Sequence, residues 1–462
     1  MPDEFSTPPR IVRRRLVAGL LLAGAVCFAM PAALSAPKKA KPAAASENIQ
    51  KVVVLTSYPE ELSTRFQKAF ETAHPGTRVE ILWRHSADAL AYLRRGGISD
   101  IDVYWTPAPR NFAVLKAEGK LAKLPAETRI IPLAESSASS ISDPDGYYAA
   151  FELAGYGIAY HPDAVKNLGL PPPKDWSDLG HPAYRGKVQM PIPGRVGFAP
   201  VMAEAVLQGN GWDKSWADFA AIVANMRIDR GDSTNETDDV SSGRVAARMT
   251  IDFFTLPSRR NATPGVGEFA FVYPPKTAFN PSHVAISAKA PHPKMARDFV
   301  DFVLSKPAQE LLLEHDVKRL PARKDVYDGH PELKVRPFVD GNLAYDDKLR
   351  RDRQGLVAAI FDIALIRPHA QSVPLWDALE NAKKEKRGNE ARLKEIQALL
   401  TAIPVSETEQ RDEKLRRLFD FPDLKPGEPE PAISAERQAV EARWKAEVEG
   451  RLNKARQLLQ AL

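Results

Sequence analysis

The sequence predicts an α/β protein of two lobes joined by a hinge, followed by a helical extension. Three observations lead there. From residue 51 to 150, β-branched runs alternate with amphipathic stretches, the pattern of strands and helices in turn. Two later extended segments carry the chain out of this set and back, which places a second lobe inside the first. Beyond Asp346 the composition turns to Ala, Leu, Glu, Lys and Arg at helical spacing.

Residues 51–56, Lys-Val-Val-Val-Leu-Thr, form a buried strand. Ser57 and Glu60 then stand at capping-box spacing, with Pro59 in the first turn. Leu62, Phe66, Ala69 and Phe70 recur at helical spacing until His74-Pro75-Gly76. Strand 78–83, helix 87–95, strand 101–105 and helix 111–118 complete a βαβαβα order, which calls for parallel strands with helices on both faces. Residues 147–160 form two extended segments broken at Gly155 and Gly157. Strand 187–191, helices 200–208 and 212–226, and extended segments at 269–273 and 284–287 follow. Met295, Phe299, Phe302, Val303 and Leu311 then mark one long amphipathic helix over 294–315. The expected division is a first lobe over 51–150, a second over 151–275, a return with the hinge over 276–345, and the extension over 346–462. Two lobes joined by two crossings enclose a cleft. In the extension, helical patterns cover 356–366, 375–402 and 434–462, Ser406 and Glu409 make another capping box, and 422–431 is a proline-rich linker. This tail is either a solvated helical layer packed on the lobes or a docking surface for a partner.

The stretch 230–254 has a distinct pattern: a small polar turn, a short helix, a glycine stop and a strand. Ser233 and Glu236 have capping-box spacing, and Gly243 stands where a left-handed cap is wanted. Val245, Ala247, Met249 and Ile251 alternate with Ala246, Arg248 and Thr250, the period of a half-buried strand that ends at Asp252-Phe253-Phe254. A hydroxyl-rich helix start and a strand end are two places where α/β proteins hold small ligands.

Composition narrows the function. With 462 residues, 44% of them hydrophobic, the chain can bury substantial cores. Its 64 basic and 59 acidic residues nearly cancel, so no nucleic-acid footprint is indicated. Arg10 and Arg13-Arg14-Arg15 precede an apolar run at 16–30 and small residues to Ala36, a cleaved export signal over 1–36, and a flexible linker over 37–50 follows. That run is shorter than the ~20 residues a spanning helix needs. The single cysteine, Cys27, lies inside it, so disulfide, thiolate-metal and cysteine-nucleophile chemistry are excluded from the exported chain. Nucleophile-elbow, zincin and P-loop motifs are absent from the sequence, and several histidines stand beside prolines as turn residues. Catalytic, metal and cofactor assignments are therefore none.

Residues 174–191, Lys-Asp-Trp-Ser-Asp-Leu-Gly-His-Pro-Ala-Tyr-Arg-Gly-Lys-Val-Gln-Met-Pro, carry a block that resembles one in family 1 extracellular solute-binding proteins of ABC importers. Asp102-Val-Tyr-Trp-Thr106, Tyr156-Gly-Ile-Ala-Tyr160 and residues 296–312 resemble further blocks of that family, in order, over about 50–325. The likeness is to the ferric-iron, phosphonate and sugar-phosphate branch, and the helical extension resembles that of phosphoglycerate-transport periplasmic components. It implies a type II periplasmic binding protein fold in the periplasm, a small-molecule ligand, and an inner-membrane ABC permease or membrane sensor as partner.

The ferric branch typically supplies two adjacent tyrosines after the strand corresponding to 244–251; here Phe253-Phe254 stand there without a donor atom. An organic anion, phosphorylated or phosphonate, suits the hydroxyl and amide groups of Ser57, Thr106, Ser233, Thr234 and Asn235, with Arg195 as a bidentate partner. Tyr58, Trp105, Tyr156 and Phe253 complete the candidate set as aromatic contacts or core. Asp252 is placed to accept from ligand hydroxyls or to pair with an arginine. The acids Asp232, Glu236, Asp238 and Asp239 favour a helix start, repel a phosphate and would suit a cation. Ferric ion, a polyamine, and a non-transport interaction protein therefore stand as alternatives.

Overall fold

A computed structural model describes residues 49–125, 128, 141–196, 198–228, 238–255, 269–314, 317–330, 345–420 and 432–462. The export signal, all but the end of the expected linker, the Ser233–Asn235 turn with its capping box, and the proline-rich 422–431 segment lie outside these residues.

Nine strands form one connected sheet: β1 (Gln50–Thr56), β2 (Thr77–Trp83), β3 (Val103–Thr106), β4 (Ala149–Tyr160), β5 (Val188–Gln189), β6 (Ala247–Ile251), β7 (Ala270–Val272), β8 (Phe279–Ile286) and β9 (Leu320–Pro321). The order is β2-β1-β3-β8-β4-β6-β5, with β7 and β9 also on β4. β1, β2 and β3 are parallel, as the βαβαβα pattern requires, and β5 is parallel to β6. The remaining pairings are antiparallel. The sheet is thus mixed, and helices Glu60–Ala73, Ser86–Arg94 and Pro109–Ala117 connect or follow its parallel strands.

β4 belongs to both halves of the sheet. Its first part, Ala149 to Gly155, pairs with β8 and β9, and its last part, Tyr156 to Tyr160, pairs with β6 and β7. The expected break at Gly155 and Gly157 is corrected: the strand runs unbroken for 12 residues. The glycines answer to crowding instead. A Cβ on Gly155 would lie 2.5 Å from the rings of Tyr273 and Phe279, and one on Gly157 would collide with the Val272 carbonyl oxygen.

Other expectations change for equally local reasons. Ser57 caps no helix: Pro59 occupies the N-cap without a side-chain bond, and the Ser57 hydroxyl is engaged elsewhere. The long helix expected over 294–315 is two, Pro293–Leu304 and Lys306–Glu310, because Ser305 leaves the helical conformation and caps the second by accepting from Ala308 N, with Pro307 in its first turn. β6 is buried on both faces rather than one, and Arg248 donates there through Nη1 to Gln189 Oε1 at 2.8 Å. The chain then turns at once into a helical turn, Asp252–Thr255. In the extension the 375–402 pattern is divided into helices His369–Lys384 and Glu390–Thr401, with Gly388 at φ 74° between them. The Ser406–Glu409 box forms as expected, Glu409 Oε2 accepting from Ser406 N at 2.8 Å and Glu409 N donating to Ser406 Oγ at 3.2 Å.

Two large cores result. One surrounds β1, β3 and helix Pro293–Leu304 with Val52, Val54, Phe66, Trp105, Phe151 and Phe299. The other joins β5, β6 and helices Ala199–Asn210 and Trp212–Asn225 to the extension through Leu356, Phe361, Trp376, Leu379 and Trp444. The extension is therefore part of the second core. Among the described residues no single helix is long and apolar enough to cross a membrane.

Candidate functional site

The C-terminal ends of β1 and β3 lie side by side, while β2 flanks β1 on its other side. The chain thus leaves β1 for one side and returns on the other, which creates the crevice where open α/β sheets hold ligands. Three hydroxyls converge there. Ser57 Oγ lies 3.1 Å from Ser86 Oγ, at the first turn of helix Ser86–Arg94, and is hydrogen-bonded to Thr106 Oγ1. Asn111 holds this helix start by donating to the Ser86 carbonyl at 2.8 Å and to Tyr104 Oη at 2.7 Å. Hydroxyls beside a helix N-terminus suit anion oxygens, because each can donate where the helix dipole is positive.

Beneath this edge lies a charged floor. Glu152, in the middle of β4, is fully buried and accepts through one oxygen from Arg319 Nη1 at 2.6 Å, Tyr58 Oη at 2.9 Å and Ser282 Oγ at 3.0 Å. Its other oxygen, Oε2, has no hydrogen-bond partner among the described residues. The Arg319 guanidinium sits 4.7 Å from the Phe253 ring centroid and 5.2 Å from that of Tyr58. Burial, followed by the nearby Glu152 carboxylate, pushes the Tyr58 phenol well above its ordinary range, so it stays a donor. Asp252, at the exit of β6, accepts from Gly155 N at 2.7 Å and Tyr273 Oη at 2.9 Å. Burial pushes its carboxyl up to about 7, against those hydrogen bonds and the Arg319 charge.

The structure brings Ser57 and Thr106 together and places Tyr58, Asp252 and Phe253 in the adjoining floor. It does not bring in Trp105, Tyr156 or Arg195, and Ser233, Thr234 and Asn235 lie outside the described residues. Trp105 is fully buried among Tyr58, Phe66, Phe151 and Phe299 at centroid distances of 4.9–6.0 Å, so its ring is core rather than an open platform. Tyr156 is buried in the second core, 6.3 Å from the Phe198 ring. Arg195 is exposed on a turn closed by its own N–H to Ile192 O at 2.9 Å. Asp252 takes hydrogen bonds from a backbone amide and a phenol, and the Arg319 charge acts on it as well. A cavity of about 590 Å³ after β2 is lined by Trp83, Arg84, His85, Asp88, Tyr92 and Asp100 and by none of these site residues. Among the described residues no group of three or more metal-ligating side chains exists.

Ser86, Glu152, Ser282 and Arg319 were not singled out from the sequence. Glu152 had a signal: a carboxylate in the apolar run Ala149-Ala-Phe-Glu-Leu-Ala-Gly155 must find a buried partner. Arg319 had none, since its partner lies 167 residues away.

A mixed sheet shared by two cores, with a switch-point crevice over a charged floor, defines a two-part α/β binding protein. The sequence profile described as bacterial extracellular solute-binding protein matches residues 110–345, just over half of the chain, and the chain belongs to that family. It is 28% identical to the phosphoglycerate transport regulatory protein PgtC of Salmonella typhimurium, over 80% of this chain and 90% of that protein. Solved structures confirm the fold. The Trichodesmium protein IdiA (FutA), in complex with iron and citrate, superposes with a TM-score of 0.53 at 16% identity, over 68% of this chain and 98% of that one. The periplasmic binding protein AfuA of Actinobacillus pleuropneumoniae, with fructose-6-phosphate bound, gives a TM-score of 0.50 at 18% identity, over 65% and 93%.

Proposed function

We propose that this chain is the periplasmic substrate-binding component of an ABC-type importer, or of a sensor system attached to one, and that it closes on a small phosphorylated organic anion. The observation that carries this reading is the hydroxyl trio Ser57, Ser86 and Thr106 at the switch-point edge. Hydroxyls that can donate hydrogen bonds, without a carboxylate among them, favour phosphate over a cation. The Phe253 ring supports the same conclusion, since it offers no atom to ferric ion. The relative in Salmonella typhimurium, named for phosphoglycerate transport, makes a phosphoglycerate the first solute to try. In this reading β1–β3 with β8 form one lobe, β5–β7 with the extension form the other, and β4 with β8 is the hinge. The work of such a protein is binding and delivery to a membrane permease or sensor, with no bond made or broken.

Isothermal titration of the exported chain with 3-phosphoglycerate, inorganic phosphate, ferric citrate and putrescine tests it. Saturable heat with the phosphate ester is the expected result. Binding of ferric citrate or putrescine with none of any phosphate compound would overturn the anion reading. An interaction protein with a vestigial cleft would bind none of the four.

A further inference from the structure

We infer that Arg319 is the charge-recognising residue of this site, presenting the open edge of its guanidinium, stacked on Phe253, to a carboxylate or phosphate oxygen of the solute. The inference rests on the anion reading above and goes beyond it by naming the residue that sets specificity. A buried arginine and carboxylate ordinarily meet as two parallel N–H···O bonds. Here the contact is end-on. Only Nη1 of Arg319 reaches Glu152, and Tyr58, Ser282 and Arg319 all crowd onto Oε1 while Oε2 is left without a donor. The guanidinium is thus turned away from its partner. Among the described residues no acceptor takes the hydrogens of its Nε or Nη2.

Two rings fix that orientation, Tyr58 at 5.2 Å and Phe253 at 4.7 Å. Stacked arginine keeps its plane and its in-plane donors, so the free edge is aimed before any solute arrives. Phe253 lies in the helical turn Asp252–Thr255 that follows β6, whereas Glu152 is on β4 and Arg319 precedes β9. A solute oxygen bonded to Arg319 would therefore touch both halves of the sheet at once. An oxygen-bearing ring at position 253 would supply the guanidinium with an internal acceptor; phenylalanine leaves that role to the solute.

The test uses 3-phosphoglycerate titrated into the wild-type chain, Arg319→Lys, Arg319→Met and Phe253→Leu, with thermal unfolding of each protein with and without ligand. Lysine keeps the charge and the contact to Glu152 but loses the fork, so affinity falls about tenfold; methionine lowers it about a hundredfold. Phe253→Leu removes the stacking ring, leaves the ion pair, and weakens binding a few-fold. A purely structural role for Arg319 would instead lower the ligand-free melting temperature and leave the affinity and the ligand-induced shift unchanged. Wild-type affinity in the lysine variant and in Phe253→Leu overturns the inference alone. If the wild type binds no phosphate ester, the anion reading fails and the inference with it. Should the methionine variant not fold, the lysine and leucine variants decide.

Discussion

Among the described residues two buried arginine–glutamate pairs are built in opposite ways. Arg353 meets Glu204 with Nε at 3.1 Å from both carboxylate oxygens and Nη2 at 2.6 Å, gives Nη1 to Gln410 at 2.9 Å, and lies 5.2 Å from the Trp212 ring. Arg319 meets Glu152 through one N–H and leaves an orphaned oxygen behind it. The first pair is saturated, and it fastens the extension helix Asp347–Ile360 to helix Ala199–Asn210. The second is unsaturated and lies where the two sheet halves meet. Equal burial does not imply equal purpose: a fully satisfied network specifies structure, whereas unused donors leave room for a further partner.

The sharpest way to break the comparison is Arg353→Met. It strands the Glu204 carboxylate in the core, and unfolding in denaturant should show a loss of about 3–5 kcal/mol with unchanged solute affinity in the folded fraction. A loss of affinity without a loss of stability would mean that the clamp and the site are one system. Next comes Gly157→Ala, which drives a methyl into the Val272 carbonyl and parts β4 from β7. About 1–3 kcal/mol of stability should be lost by the same assay; a neutral result would show that β4 does not hold the halves as rigidly as its pairing implies.

Asp252 supplies a pH test. Its folded carboxyl is raised from 3.8 to about 7, so between those values the folded chain holds a proton that the unfolded chain has released. Stability from this group is therefore present at low pH and lost as pH rises through the folded value, at up to about 1.4 kcal/mol per pH unit. Asp252→Asn should remove that slope from stability measured across this interval. A variant with the wild-type slope would assign the pH dependence to another group. The smallest effect expected is from Arg195→Ala. Its exposure means solvent screening, so solute affinity should change by less than about 1 kcal/mol, and a larger loss in titration would return Arg195 to the site.

Much of the molecule is legible in sequence where the interaction is local. The parallel start follows from periodicity at 51–118, the stop at Gly76 has its φ of 83°, and the Ser406–Glu409 box forms from residues three apart. The failures share a cause. Gly155 and Gly157 suggest a break until Tyr273, Phe279 and Val272 are seen against them. Ser57 suggests a cap until Ser86 and Thr106 claim its hydroxyl. Trp105 suggests a ligand platform until four aromatic neighbours enclose it.

By itself, then, the sequence determined the α/β class, the order of elements, a side chain without a donor atom at Phe253 and the family to which its blocks are similar. These depend on side-chain type and on spacings of a few residues, which the chain carries without folding. Only the tertiary structure decided that the extension belongs to the second core, that β4 serves both halves, and that Arg319 turns from Glu152 toward Phe253. Each of those is a contact between residues far apart in the chain, or depends on which of several partners wins a buried hydrogen bond, and no local pattern records that outcome.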